Sequence, residues 1–143
     1  MSSNDEQVER YVFDACALIA YLNDEVGAEV VEGLLTSTRE QGTQLYVAAV
    51  NVYELFYDCL KRDAATAQQL VDDIYDLPLT VVEVLDRLLM EHVGGFKAAY
   101  HISLADSVAL GLAQQLNAHL VSSDHHEFDP IDRDGKARFQ WIR

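Results

Sequence analysis

The sequence predicts an α/β protein, a three-layer α/β/α sandwich around a central, mostly parallel sheet of about five strands. Short apolar runs rich in β-branched residues alternate with longer segments whose apolar residues recur at helical spacing. Most connections between consecutive runs are long enough for a crossover helix, which parallel strands require. Half of the 143 residues are hydrophobic, which is enough for one core covered on both faces.

The first half of the chain begins with a polar segment and then alternates strands with helices. Residues 1–10 are polar and acidic and are predicted to be a flexible tail, and 11–143 are predicted to be a single domain. Gly42 ends the second helix and Pro78 follows the fourth. The predicted elements are strand 11–13, helix 15–22, helix 25–40, strand 45–48, helix 50–60 and helix 63–76.

The second half contains three further strands. Gly94 and Gly95 are predicted to break a helix that is able to resume across 96–100. Residues 132–138 are polar and are predicted to be a hairpin-like loop. The predicted elements are strand 79–82, helix 85–93, helix 103–116, strand 119–122 and strand 138–142.

The chain is strongly acidic, with 24 acidic residues against 10 basic ones and a formal net charge of −14. Taken alone, this balance argues against nucleic-acid binding, because affinity for phosphate comes mainly from lysine and arginine. It favours a basic protein partner, bound cations or a halophilic cytoplasm, and a merely soluble acidic surface explains it equally well.

Compartment signals indicate a cytoplasmic protein without a membrane segment. No stretch reaches the roughly 18 uninterrupted apolar residues of a membrane-spanning helix, and the acidic N-terminus is unlike a secretory signal. Cys16 and Cys59 have no partner histidine or cysteine at metal-site spacing. We therefore interpret them as buried thiols in a reducing compartment.

Four acidic residues fall where a parallel sheet binds its ligands, outside the carboxyl ends of the strands. Asp14 ends the first strand, and Asp124 follows the fourth by two residues. Glu54 and Asp106 are placed in the first turns of their helices. If the strands that carry them are neighbours, four carboxylates converge at one edge of the sheet.

Each of these acids also has a structural interpretation. Ser103 and Asp106 have the spacing of a capping box, and Asn51 and Glu54 repeat it with asparagine as the cap. Acids in a first turn also stabilise the helix dipole, so both interpretations stay open for each residue alone. Four caps need not meet in space, however, whereas a hard divalent cation needs several converging oxygen ligands. An all-oxygen site suits Mg²⁺ or Mn²⁺ and supports displacement at phosphorus.

Four segments, 11–22, 48–55, 102–113 and 120–128, resemble the conserved segments of PIN-domain nucleases in both order and spacing. The resemblance implies a ribonuclease site in which Ser122 orients a metal ligand or the attacking water. It also implies that Mg²⁺ or Mn²⁺ is held by Asp14, Glu54, Asp106 and Asp124. The chain departs from the usual pattern after the last of these, because Phe128 comes one residue late, and Ser123 and Asp129 have no clear counterpart.

The size of the chain looks most like that of VapC-type toxins of type II toxin–antitoxin pairs. This resemblance implies an endoribonuclease acting on RNA, a homodimer, and a cognate antitoxin with a basic segment that would suit the acidic chain. An inactive or free-standing PIN domain that binds RNA or protein is the alternative, followed by a metal-dependent phosphatase. A haloacid-dehalogenase-type phosphatase requires an aspartate where Cys16 stands.

Two further groups beside these segments are open to more than one interpretation. His125 and His126 are interpreted as part of a solvated loop, because adjacent histidines on a loop point in different directions and no third zinc ligand is at ligand spacing. Tyr53 and Tyr57, one turn apart beside Glu54, are candidates for base stacking.

Overall fold

The computed structural model describes residues 8–143 and contains one five-stranded sheet with the strand order β3-β2-β1-β4-β5. Every neighbouring pair of strands is parallel. The elements in chain order are β1 (Arg10–Phe13), α1 (Ala15–Leu22), α2 (Ala28–Gln41), β2 (Gln44–Ala48), α3 (Ala49–Leu60), α4 (Ala64–Tyr75), β3 (Thr80–Val82), α5 (Arg87–Ala99), α6 (Leu104–Gln115), β4 (His119–Ser122), α7 (His125–Arg133) and β5 (Phe139–Trp141).

Helices cover both faces of the sheet, so the predicted three-layer fold is confirmed. Successive side chains of a strand point to opposite faces. Val12 accordingly packs among residues of α5, α6 and α7, whereas Phe13 packs among residues of α1, α2, α3 and α4. Both side chains are fully buried. The predicted tail falls mostly on 1–7, which lie outside the described residues, and β1 already begins at Arg10.

The predicted break at Gly94 and Gly95 is wrong, because α5 runs continuously from Arg87 to Ala99. Packing against α6 overrides the low helix propensity of the glycine pair. Leu89 and Phe96 of α5 are buried on either side of the pair. The close approach is at Gly111 of α6, where a Cβ would lie 2.6 Å from Cγ2 of Val93.

The glycines of this helix pair should respond to alanine in opposite directions. We expect Gly111→Ala to lower the free energy of unfolding by about 1–3 kcal/mol, because the added methyl overlaps Val93. Gly94 has open space around its Cβ position, so Gly94→Ala should raise that energy by roughly 0.5–1 kcal/mol. Urea denaturation measures both. Equal effects of the two substitutions would contradict the close packing of α5 on α6.

The loop predicted around His125 and His126 is wrong, because 125–133 form helix α7, whereas 134–138 of the polar loop predicted over 132–138 do connect α7 to β5. Asp124 caps the helix by accepting a hydrogen bond from the backbone N–H of Glu127. Phe128 and Ile131, three residues apart, are both fully buried against the sheet. Pro130 lies within the helix and hides its pattern in the sequence. None of the described helices is long and apolar enough to cross a membrane.

Candidate active site at the carboxyl edge of the sheet

The site is built on the two central strands, β1 and β4, which end side by side. Phe13 is paired with Val121 in the parallel register. Asp14 directly follows Phe13, and its backbone N–H donates to the carbonyl of Val121 over 3.2 Å. The predicted neighbourhood of Asp14 and the end of β4 therefore follows from the sheet topology itself.

Asp14 is almost completely buried, with 1% of its surface exposed, and both of its carboxylate oxygens are engaged. Oδ1 accepts a hydrogen bond from the backbone N–H of Ala17 over 2.8 Å and so caps α1. Oδ2 accepts a short hydrogen bond from the hydroxyl of Ser122. The capping interpretation is thus correct for Asp14 without excluding a second role for its charge.

Ser122 is fully buried and bridges two of the acidic residues. Its hydroxyl donates to Asp14 and accepts from the backbone N–H of Asp124 over 2.9 Å. One side chain at the end of β4 thereby fixes the carboxylate after β1 and the start of α7.

Asp106 and Glu54 approach the site from two helices. Asp106 lies in the first turn of α6, as predicted, and its backbone N–H donates to the capping hydroxyl of Ser103 over 3.1 Å. Because α3 already begins at Ala49, Glu54 lies in its second turn, and the prediction of a first-turn acid is wrong. Asn51 is likewise inside the helix, so its predicted role as the N-cap is wrong too.

All four predicted site acids act through their charges on one residue, Cys16. Cys16 lies in the first turn of α1, and its pKa rises to about 12, first through burial. The negative charges that raise it further are those of Asp14, Asp124, Asp106 and Glu54. We call these four residues the carboxylate cluster. Four unrelated helix caps would not need to act on one common residue.

Within the carboxylate cluster, burial and mutual repulsion oppose ionisation. Burial raises the pKa of Asp14 to about 7, against the lowering effect of its hydrogen bonds, and the charges of Asp106 and Asp124 add to the rise. Burial likewise raises the pKa of Asp106 to about 7, helped by Asp124, Glu127 and Glu54. The pKa of Glu54 is also raised, mainly by burial. Such an array is stabilised by a positive charge at its centre.

The donor chemistry of the carboxylate cluster fits a hard divalent cation, because carboxylate oxygens are the ligands that Mg²⁺ and Mn²⁺ prefer. Among the described residues, however, no three His, Cys, Asp or Glu side chains already stand at metal-ligand geometry. The side chains present therefore match such an ion in donor type but not in spacing. Asp14, Glu54, Asp106 and Asp124 are the residues that would hold the ion.

Stability of the metal-free protein should depend on pH through these raised pKa values. Between the ordinary aspartate pKa and about 7, folded Asp14 and Asp106 keep protons that the unfolded chain releases. The free energy of unfolding should therefore fall as the pH rises through this window and level off above it, a change on the order of a few kcal/mol. Urea denaturation in EDTA at several pH values measures this. A flat profile would contradict it.

His125 is not in a solvated loop as predicted, since it begins α7 and stacks on Trp141 with ring centroids 3.8 Å apart. Nδ1 lies 2.8 Å from Oδ1 of Asp129 and Nε2 lies 2.9 Å from the carbonyl of Arg143. Both partners only accept, so the two contacts together favour the protonated imidazole, in which both ring nitrogens donate. Its pKa is raised by the Arg143 carbonyl and then by Asp129. This clamp fastens α7, which Asp124 caps, to the chain after β5.

Sequence reasoning missed two residues beside the carboxylate cluster. The backbone N–H of Glu127 donates to the capping carboxylate of Asp124, and the side chain of Glu127 adds to the charge around Asp106; recognising α7 would have found it. Asn51 is fully buried between α3 and α6, and no signal in the sequence separates that position from a helix cap. Tyr53 and Tyr57 are exposed beside Glu54, so their stacking role stays a prediction.

Comparison with solved structures shows the same fold in three VapBC structures. VapBC2 from Rickettsia felis, bound to a DNA fragment from its promoter, has a TM-score of 0.71 and 14% identity, over 92% of this chain and 98% of that one. VapBC-1 from nontypeable Haemophilus influenzae has a TM-score of 0.70 and 18% identity, over 93% of this chain and 98% of that one. DNA-bound VapBC from Salmonella typhimurium has a TM-score of 0.71 and 16% identity, over 96% of this chain and 100% of that one.

Sequence comparison is decided by one family model. Among curated proteins, no sequence matches significantly. The model of the PIN domain matches residues 11–134, which is most of the chain and includes every member of the carboxylate cluster. The chain therefore belongs to the PIN domain family.

Proposed function

We propose that the protein is a Mg²⁺- or Mn²⁺-dependent endoribonuclease that hydrolyses RNA phosphodiester bonds. The observation that supports this proposal is that Asp14, Glu54, Asp106 and Asp124 all act through their charges on Cys16, which lies just after the carboxyl end of β1. Membership of the PIN domain family supports the same chemistry. A cation also answers the objection raised by the net charge of −14, because it brings the positive field that a phosphodiester requires.

When bound, the cation activates a water molecule and neutralises charge that develops at the phosphorus. The chain's own residues hold and orient it. Asp14 is presented rigidly, because α1 and Ser122 engage its two oxygens. Half-buried Glu54, Asp106 and Asp124 face the solvent side of the cluster, where substrate arrives.

The geometry supports one of the two roles implied for Ser122. Its hydroxyl proton is donated to Asp14, and its oxygen accepts from the N–H of Asp124. A fully buried hydroxyl with these two partners orients metal ligands and has no exposed surface from which to reach an attacking water.

We further propose that the protein is the toxin of a type II toxin–antitoxin pair and works in the cytoplasm as a homodimer. The three structural neighbours are described as VapBC assemblies, which supports a cognate antitoxin. An antitoxin with a basic segment would complement the net charge of −14. If a small reading frame is encoded immediately upstream, co-expression with it followed by co-purification tests this part independently of catalysis.

The metal requirement is tested by incubating the purified protein with structured RNA in EDTA and then restoring Mg²⁺ or Mn²⁺. We expect cleavage to be lost in EDTA and recovered with either ion, because the carboxylate cluster alone repels the phosphodiester. Cleavage that persists in EDTA would contradict the proposal. Release of phosphate from a small phosphomonoester, with RNA left intact, would favour the metal-dependent phosphatase instead.

A further inference from the structure

Asn51 is a buried polar residue of helix α3 whose side chain hydrogen-bonds to a residue of another helix, α6. Its side chain is fully buried, one helical turn before Glu54. The Nδ2 atom donates to the carbonyl of Ala105 over 3.3 Å. The Oδ1 atom is buried without a hydrogen-bond partner in the part of the chain that the structure describes.

The orientation of this amide is determined by its neighbour. The Ala105 carbonyl only accepts hydrogen bonds, so the nitrogen of the amide must face it. Turning the amide over would place two acceptors against each other. The unpaired Oδ1 is therefore a consequence of the bond to Ala105, and an apolar side chain at this position would avoid the cost of burying it.

The bond joins the two helices that carry half of the carboxylate cluster. Ala105 directly precedes Asp106 in the first turn of α6, and Asn51 and Glu54 share α3. The nearby side chain of Asn51 also acts to lower the pKa of Glu54, against the larger opposite effect of burial. Neither Glu54 nor Asp106 lies at a strand end, so the sheet alone does not set their separation.

We propose that Asn51 is a positioning residue that holds Glu54 and Asp106 in register with each other, so that both reach one divalent cation. The inference rests on the function proposed above. Outer contacts of this kind orient metal ligands, and their removal typically weakens metal affinity about 10–100-fold. A positioning role accounts for a buried amide at a site where leucine would avoid the free-energy cost of burying an unpaired oxygen.

The test compares Asn51→Leu and Asn51→Ala by Mn²⁺ titration calorimetry and by urea denaturation in EDTA. Both variants lack the amide, but only the alanine leaves a cavity. We expect both to bind Mn²⁺ about 10–100-fold more weakly than wild type. The alanine variant should unfold at a lower urea concentration than the leucine variant, because only alanine leaves a cavity.

Thr43→Val is the matched control, because Thr43 is also a buried polar residue but precedes β2 at the opposite end of the sheet. It should bind Mn²⁺ like wild type. Wild-type affinity in both Asn51 variants, or weak binding only in the less stable alanine variant, would overturn the positioning role. If wild type itself binds no Mn²⁺, the proposed metal-dependent function is contradicted, and the positioning role that rests on it is contradicted too. If the leucine variant does not fold, the comparison is between folded Asn51→Ala and Thr43→Val. Weaker Mn²⁺ binding by the alanine variant than by this control then supports the positioning role, and equal binding contradicts it.

Discussion

Replacing Asp14 with asparagine is expected to abolish RNA cleavage while leaving the metal-free protein folded. Asparagine keeps the side-chain oxygen that caps α1 through Ala17 but removes the charge at the most buried ligand of the cluster. We expect a loss of at least about 1000-fold in cleavage rate, which corresponds to about 4 kcal/mol of transition-state stabilisation. Asp106→Asn should behave in the same way, because it removes a second ligand.

Stability separates this effect from simple unfolding. Burial disfavours the ionised form of Asp14 and raises its pKa to about 7. The asparagine variant escapes that cost, so above neutral pH it should be more resistant to urea than wild type in EDTA. Asp72→Asn is the matched control, because Asp72 is exposed on α4 and outside the carboxylate cluster. Full activity in Asp14→Asn would remove the carboxylate cluster from the mechanism.

Replacing Ser122 with alanine is expected to weaken Mn²⁺ binding about 10–100-fold, although Ser122 is not itself one of the proposed ligands. The variant loses the hydrogen bond that lowers the pKa of Asp14, so Asp14 should hold its proton to higher pH. It also leaves the backbone N–H of Asp124 without its acceptor. Cleavage should fall with the affinity and recover in part at saturating Mn²⁺.

Two controls identify the hydroxyl as the cause. Ser122→Thr keeps the hydroxyl and should keep most of the Mn²⁺ affinity, at a packing cost of about 1 kcal/mol for its extra methyl. Ser107→Ala removes an equally buried hydroxyl, one that only donates back to the carbonyl of Ser103 in its own helix. If Ser107→Ala and Ser122→Ala weaken Mn²⁺ binding equally, the bridge from Asp14 to Asp124 has no special role.

The errors of sequence reasoning share a cause. The glycine pair in α5 predicts a break, and the polar residues around His125 predict a loop, yet each helix is held by buried residues such as Phe96 and Phe128. His125 was read as solvated because its partners, Trp141 and Arg143, are distant in the sequence. Propensity is worth only about 1 kcal/mol per glycine, and burial of one large side chain outweighs it.

The sequence by itself determined the order of the five strands and of every helix except α7, the parallel sheet, and the placement of Asp14 and Asp124 just after the ends of two strands. These features follow from local periodicity and from the general geometry of crossover connections. Only the tertiary structure decided that β1 and β4 are neighbours, that Ser122 bridges their ends, and that Asn51 joins α3 to α6. Those contacts link residues far apart along the chain, so no local pattern in the sequence encodes them.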